Sequence, residues 1–435
     1  MKGLIKKLCV WILTREARIV LRRFSPRIIA ITGSVGKTTT KDAVFFALNG
    51  SVSVRRSKKS ENSEIGVPLT ILGLTNAWNN PLKWLWNIGN GAYTALFSRT
   101  YPDWLVLEIG ADHPGDIRAF TEWITPDIVI LTWLSKVPVH VEYFETPEAV
   151  WKEKEILAHA LKENGAFVFN ADNEPIQMIA GRVAKKHVSY GFVEDASVTV
   201  KAYKPIYKRG ARLRTVVGMR ADIIVHGTKY TFSTEGILGK QYVYTVLCAL
   251  AIADLLHVPM DAVLQRLQEY IGTKGRMRLL SGIRKSVVID DSYNASPVAM
   301  KEALDVLKLT ETSGKRIAIL GDMLELGTYS VDAHEEVGVY AIQSVDILIT
   351  VGIRARDIHR RAEELGFDSA RAVHFHDAWE ASREIQKYVG NGDLILVKGS
   401  QGMRMERIIE KLLLDPITAP EVLVRQEYAW KVRNK

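Results

Sequence analysis

Three observations predict an α/β fold: short apolar strands alternate with helical patterns, a Gly36-Lys37-Thr38 turn lies between the first such strand and helix, and the alternation starts afresh after residue 275. The expected architecture is a central P-loop domain on a parallel sheet, followed by a C-terminal Rossmann-like α/β domain. At 435 residues the chain is long enough for two or three cores. The expected boundaries are 1–26 for a basic amphipathic helix, 27–273 for the central domain with an aromatic insertion at 76–101, and 274–435 for the C-terminal domain.

The first element is the basic helix. Lys2, Lys6, Lys7, Arg15, Arg18, Arg22, Arg23 and Arg27 alternate with Leu, Ile and Val. The apolar run Leu8–Leu13 is too short for a signal-peptide core or a spanning helix. The segment reads either as a helix docked on the body of the protein or as a membrane-surface contact.

Central strands are expected at Ile28–Thr32, Trp104–Ile109, Asp127–Thr132 and Ala166–Asn170. Between residues 195 and 235 the texture becomes antiparallel, in Val198–Tyr203 and Ala221–Phe232, and a long helix follows at Tyr242–Leu256. The second unit has strands at Ser286–Asp290, Arg316–Leu320, Ile347–Val351, Ala372–Phe375 and Leu394–Val397. The aromatic segment Asn76–Tyr101 carries Trp78, Trp84, Trp86, Tyr93, Phe97 and Tyr101. It reads first as a core helix pair and second as an interfacial patch.

The net charge of +9 asks for an anionic partner. No nucleic-acid-binding signature is present, so a nucleotide substrate, with anionic lipid nearby, is the expected partner class. Two cysteines, Cys9 and Cys248, exclude a four-cysteine zinc ribbon and argue against a disulfide framework; the cytoplasm is the expected compartment, with peripheral membrane contact.

The chemistry begins at Thr32-Gly33-Ser34-Val35-Gly36-Lys37-Thr38-Thr39. A loop between a strand and a helix offers backbone N–H groups to phosphate, a lysine to its charge and a threonine hydroxyl to Mg²⁺. Gly33, Ser34, Val35, Gly36, Lys37, Thr38 and Thr39 are therefore the candidate ATP contacts. The general pattern places a glycine five residues before Gly36, where Ile31 stands, so the loop is a distinct subtype. Glu108, at the end of an apolar strand, is placed to hold a cation at the nucleotide. His140 and Lys154, taken alone, read as ordinary surface residues. Asp290, Gly321–Gly327 and Val397–Gly402 sit at strand ends, where open α/β sheets collect ligands.

Together these segments resemble the Mur ligase family of ATP-dependent amide-forming enzymes, over roughly residues 27–412. The resemblance rests on Ile31-Thr-Gly-Ser-Val-Gly-Lys-Thr-Thr-Thr-Lys, Ile65-Gly-Val-Pro-Leu-Thr and Glu108-Ile-Gly-Ala-Asp-His-Pro-Gly. It extends through Asp290-Asp-Ser-Tyr-Asn-Ala-Ser-Pro, Leu320-Gly-Asp-Met-Leu-Glu-Leu-Gly and Val397-Lys-Gly-Ser-Gln-Gly. It is strongest to the branch that adds D-alanyl-D-alanine to a muramyl peptide. The resemblance implies ATP and Mg²⁺, with Lys37, His140 and Lys154 as catalytic residues. It implies a metal set of Thr38, Glu108, His140 and a carbamylated Lys154. Arg276 and Asp290 would reach the nucleotide from the C-terminal domain, and Asn62, Asn294, Lys398 and Ser400 would meet the substrates. The implied reaction passes through an acyl phosphate, and the expected state is a monomer.

The chain departs from the family at four places. Full-length members carry an N-terminal domain that grips the UDP-muramyl group, whereas here the phosphate loop begins near residue 30. Gly239-Lys-Gln-Tyr replaces Gly-x-His-Asn, Ser296 stands where Asn is usual, and Gln401 stands where Arg is usual. These departures keep open a Mur-type ligase acting on a different acid and amine. A membrane-associated P-loop ATPase is the remaining alternative.

Overall fold

The computed structural model describes residues 2–78, 80–209, 214–427 and 430. Met1, Asn79 of the aromatic insertion and residues 431–435 lie outside the described residues.

Two sheets organise the chain. The first has the order β2-β3-β1-β4-β5-β6-β7-β8-β9. Its strands are β1 (Arg27–Thr32), β2 (Val54–Arg56), β3 (Trp104–Glu108), β4 (Ile128–Leu131), β5 (Ala166–Asn170), β6 (Lys186–Gly191), β7 (Val198–Arg209), β8 (Arg214–Val225) and β9 (Thr228–Glu235). β1 to β7 pair in parallel, and β7, β8 and β9 are antiparallel. The parallel strands are apolar on both faces because helices cover both. Ile29, Ile31, Val106 and Ile130 join one core with the helix Lys37–Leu48, and Ile28, Ala30, Leu105 and Leu107 join the other.

The second sheet has the order β10-β11-β15-β12-β13-β14. Its strands are β10 (Arg278–Ser281), β11 (Val287–Asp291), β12 (Arg316–Gly321), β13 (Ile347–Val351), β14 (Ala372–Phe375) and β15 (Leu394–Lys398). Only β10 is antiparallel. In both sheets the strand order reverses beside the strand that carries the candidate motif. This is where a crevice opens at the carboxyl ends.

The sequence reading missed β2, β6 and β10. Val54-Arg-Arg, Lys186-His-Val-Ser-Tyr-Gly and Arg278-Leu-Leu-Ser lack a continuous apolar run, and pairing with longer neighbours forms them.

The helix Lys2–Phe24 docks on the body through Leu13, Ala17 and Val20, all buried in the second core. The aromatic segment is not a core helix pair. It forms one helix, Pro81–Leu96, capped by the Asn80 side chain accepting from Lys83 N at 3.0 Å. This helix buries Asn87, Gly91 and Ala95, packs Trp84 and Ile88 against the core, and turns Leu82, Leu85, Trp86, Tyr93 and Leu96 outward. The two helices approach closely: a Cβ at Gly91 would lie 2.0 Å from Glu16 Oε2. Arg23 also donates to the Ala95 carbonyl at 3.1 Å.

Burial at this crossing raises the Glu16 carboxyl from 4.5 to about 7. Its folded pKa exceeds its unfolded one, so the favourable protonated state is complete below about 4.5 and is lost as pH rises towards 7. Glu16→Gln should therefore stabilise the protein by about 2 kcal/mol at pH 8 and by nearly nothing at pH 4. Thermal melts of both proteins at the two pH values measure the difference.

Candidate functional site

The phosphate loop is built by two glycines and a neighbouring strand. β1 ends at Thr32, and Gly33 takes φ +146°, where a Cβ would lie 2.1 Å from Thr132 Oγ1. Gly36 takes φ +87° and caps the helix Lys37–Leu48, a left-handed conformation open to glycine at little cost. The end of β4 pins the loop: Ser34 N donates to the Trp133 carbonyl at 2.6 Å, and Thr132 Oγ1 donates to the Val35 carbonyl at 2.6 Å. Ile31 is fully buried in β1. The position where the general pattern has glycine is therefore a strand residue here. The helix N-terminus lines the cleft with no side-chain cap, the arrangement that attracts a phosphate.

β1 pairs with β3 so that Ile31 faces Glu108 in register. This brings the Glu108 carboxylate to the first turn of the loop helix. Thr38 Oγ1 donates to Glu108 Oε1 at 3.1 Å, Ser60 Oγ at 2.8 Å and Asn62 Nδ2 at 3.5 Å. Among the described residues the other oxygen, Oε2, is buried with no hydrogen-bond partner, and the Lys41 ammonium lies 3.8 Å from it. Lys41 is fully buried and donates to Ser57 Oγ at 3.2 Å and to the Lys59 carbonyl at 2.7 Å. It balances Glu108 and Asp42 in the interior, and Asp42 is also paired to Arg56 at 3.1 Å.

Lys37 Nζ donates to the Gly33 carbonyl at 2.7 Å, folded back over its own loop. Burial lowers its pKa, and Glu108 opposes that shift. Lys154, on the helix Pro147–His159, is buried, and burial lowers its pKa to about 7, with the Lys37 charge as a smaller contribution. A buried amine with this pKa is largely able to lose its proton at neutral pH.

His140 takes φ +71° and reaches two carboxylates: Nε2 lies 3.4 Å from Asp112 Oδ1 and Nδ1 lies 3.0 Å from Glu325 Oε2. Glu325 comes from the loop after β12, so the ring joins the two sheets' loops across the cleft. Its carboxyl is held below the usual range by the His140 hydrogen bond.

One cleft of about 1860 Å³ gathers these groups. It is lined by Gly33, Ser34, Val35, Gly36, Lys37, Thr38, Asn62, Glu108, His140 and Lys154 on the central side, and by Arg276, Asn294 and Ser400 on the C-terminal side. The Arg276 guanidinium lies 4.3 Å over the Tyr293 ring, with its Nε buried and unpartnered.

Three expected site residues do not line the cleft. Thr39 is half-buried in the first turn of its helix, rotated off the cleft side. Asp290 is fully buried: β11 runs one residue further than expected, to Asp291, so the cleft meets Tyr293–Ser296 instead. Its Oδ1 accepts from Ser292 N and Oγ at 3.1 and 2.6 Å, and burial raises its pKa to about 6. Lys398 is fully buried and donates to Asp291 Oδ2 at 2.6 Å and to the Asn294 carbonyl at 2.9 Å. Its ammonium holds the loop that carries Asn294.

The sequence reading missed Ser60, Asp112 and Glu325. Glu325 stands within the Gly-Asp-Met-Leu-Glu-Leu-Gly segment, which is the signal that pointed to it. Asp112 likewise stands within Glu108-Ile-Gly-Ala-Asp-His-Pro-Gly, whereas Ser60 carries no signal beyond its loop, because only folding brings it to Glu108.

Comparison with known proteins shows the family and the fold. The Mur ligase middle domain matches residues 31–253, and the Mur ligase glutamate ligase domain matches residues 275–401. The UDP-N-acetylmuramoyl-tripeptide--D-alanyl-D-alanine ligase of Bacillus subtilis is 27% identical over 407 residues, covering 93% of this chain and 80% of that protein. The Escherichia coli enzyme of the same name is 25% identical over 404 residues, covering 90% of this chain and 78% of that protein. Among solved structures, MurF ligase from Thermotoga maritima in complex with ADP has a TM-score of 0.73 at 23% identity, covering 92% of this chain and 83% of that one. MurF from Acinetobacter baumannii has a TM-score of 0.71 at 20% identity, covering 92% and 78%. With the loop, the acid beside it and the two-sheet architecture in place, the chain belongs to the Mur ligase family.

Proposed function

We propose that this Mur ligase uses ATP to join D-alanyl-D-alanine to the terminal carboxylate of a muramyl tripeptide. The reading is carried by the cleft in which Lys37, Thr38, Glu108, His140 and Lys154 face Arg276, Asn294 and Ser400. The names of the Bacillus subtilis and Escherichia coli relatives supply the acid and the amine.

In the proposed reaction a carboxylate oxygen of the acid attacks the γ-phosphorus of ATP, and ADP leaves. The acyl phosphate is then attacked at its carbonyl carbon by the neutral amine. Phosphate leaves, the nitrogen gives up a proton, and an amide remains. The N–H groups at the start of the Lys37–Leu48 helix bind the phosphates, and Lys37 swings from the Gly33 carbonyl to meet the charge on the transferring group. Arg276, stacked on Tyr293, approaches the nucleotide from the opposite wall. The His140–Glu325 contact joins the walls and helps exclude water.

The residues present fit Mg²⁺. Thr38 offers a hydroxyl, and Glu108 offers an oxygen that has no hydrogen-bond partner. Mg²⁺ commonly takes only one or two protein oxygens and completes its shell with phosphate and water. A magnesium ion held there would neutralise phosphate charge. His140 and a carbamylated Lys154 would provide a second set of contacts. Carbamylation joins the neutral Lys154 amine to CO₂ with release of one proton. We place the units at 1–26, 27–273 and 274–435; the glycines Gly272 and Gly275, both at positive φ, support a hinge between the two larger ones.

The test is phosphate release from ATP with UDP-muramyl tripeptide and D-alanyl-D-alanine supplied singly and together, with the product identified by mass. Release only with both substrates, and formation of the pentapeptide, is the expected result. Release that ignores either substrate sinks the ligase reading. Activity with a different acid and amine pair moves the enzyme to another pathway. A Lys154→Ala variant should lose on the order of 10²-fold in kcat, with part of the loss recovered on adding formate, a small carboxylate that fits the vacated space. A loss that formate leaves untouched argues against a carbamate.

A further inference from the structure

The helix Pro81–Leu96 carries a second apolar face besides the one that packs inward through Trp84 and Ile88. Leu82, Leu85, Trp86, Tyr93, Leu96 and the C-cap Phe97 are all exposed, Leu82 by 76% and Phe97 by 66%. At 100° per residue these positions fall within a single stripe about 120° wide. The stripe faces away from the body, because the opposite side, with Gly91 and Ala95, is buried.

The helix Lys2–Phe24, packed against it, has an exposed face of its own. Its exposed positions alternate apolar Leu8, Trp11 and Ile19 with Lys7, Arg15 and Arg22. The Arg15 guanidinium lies 4.1 Å from the Trp11 ring centroid. The helix carries seven Lys and Arg residues and one acid, the buried Glu16. No Asp or Glu occurs between Glu64 and Asp103, whereas Lys83 and Arg99 do. One exposed acid, Glu64, pairs with Lys6 at 2.9 Å. Tryptophan, tyrosine and leucine turned outward, with cations in excess around them, are the chemistry of a water–lipid interface with anionic headgroups. Among the described residues no helix is long and apolar enough to cross a membrane, so contact would be with the surface.

The same helix reaches the reaction cleft. Trp78 and Lys83, at its N-terminal end, line the cleft together with Asn76 and Glu61. We propose that the outward face of these two helices seats the protein on an anionic lipid bilayer, with the Trp78–Lys83 end of the cleft at the lipid surface. This surface is separate from the phosphate loop, so the inference stands apart from the choice of acid and amine.

The experiment uses the full chain and extruded vesicles of phosphatidylcholine, with or without 30% phosphatidylglycerol (roughly the anionic fraction of a charged leaflet), in a sedimentation assay. Binding to the anionic vesicles, weakened by salt and at least about tenfold poorer to the neutral ones, is expected. The triple substitution Leu85→Gln, Trp86→Ser and Phe97→Ser should weaken vesicle binding at least about tenfold. Phosphate release in the absence of vesicles and the melting temperature should both be kept. The pair Arg15→Glu and Arg22→Glu should remove the preference for anionic lipid. Failure to bind the anionic vesicles overturns the proposal. So does a triple variant that binds as well as the parent. A concentration-dependent dimer abolished by the triple substitution would assign the face to a second copy of the chain and also overturn it.

Discussion

Lys37→Ala should abolish measurable ligation, with kcat reduced on the order of 10³-fold or more. Among the described residues its ammonium donates one hydrogen bond, to the Gly33 carbonyl at 2.7 Å. That bond closes the loop on itself and leaves the charge available to phosphate. Burial disfavours the charged form, and Glu108 and Asp112 restore it only in part. Losing this lysine therefore relieves a desolvation cost rather than breaking a structural pair. Thermal stability should stay within about 0.5 kcal/mol of the parent. Single-turnover phosphate release and a melt of the same sample measure both numbers. A variant that turned over at the parental rate would remove the loop from the chemistry.

Glu108→Gln should behave differently, losing both activity and stability. The carboxylate accepts from Thr38, Ser60 and Asn62 through one oxygen and faces the buried Lys41 with the other. A glutamine keeps the size and one acceptor but removes the charge that Lys41 and a phosphate-bound cation both need. Activity should fall on the order of 10²-fold, with the Mg²⁺ concentration for half-maximal rate raised. Stability should fall by about 1–3 kcal/mol, because the buried Lys41 loses one of its two ion-pair carboxylates and keeps Asp42. Titrating activity with Mg²⁺ and comparing urea midpoints checks the two effects. Loss of stability with unchanged Mg²⁺ dependence would make Glu108 a structural acid alone.

The contrast between these residues follows from where each charge ends. Lys37 projects from a helix N-terminus into an open cleft, and its partner in the structure is a single carbonyl. Glu108 ends a central strand, and its neighbours were chosen by the register of β1 and β3. Spacing in the sequence identifies the first kind of residue well. It identifies the second only as an acid at a strand end, since the hydroxyls of Thr38 and Ser60 come from separate segments.

The same distinction runs through the site. Gly33 to Thr38 were legible because a strand, two glycines and a helix form a local unit, whose backbone geometry is set by residues adjacent in sequence. Ile31 in place of a glycine was legible as a subtype, and its full burial in β1 gives the reason. Asp290 and Lys398 were expected at the ligand from their positions at strand ends. The strands run to Asp291 and Lys398; Lys398 is held inward by its pair with Asp291, and Asp290 is buried with Ser292 as its donor. Strand length by one residue decides whether a side chain meets solvent or core, and sequence patterns locate strand ends only within a few residues.

The aromatic segment gives the clearest case of what composition leaves open. Its richness in Trp, Tyr and Leu suits burial, and the sequence reading places it first in a core. The structure packs Trp84, Ile88 and Tyr101 against the core but turns Trp86, Tyr93 and Phe97 outward, because one side of the helix passes close to another helix. Gly91, Asn87 and Ala95 are the residues small enough to allow that approach. The sequence by itself determined the α/β class, the two-sheet plan, the phosphate loop and the family, since these rest on local periodicity and short motifs. Tertiary structure alone decided that His140 meets Glu325 across the cleft, that Lys154 is buried beside Lys37, and that an apolar helix face points away from the core. Those outcomes depend on packing between segments far apart in the chain, where register and helix rotation choose the neighbours.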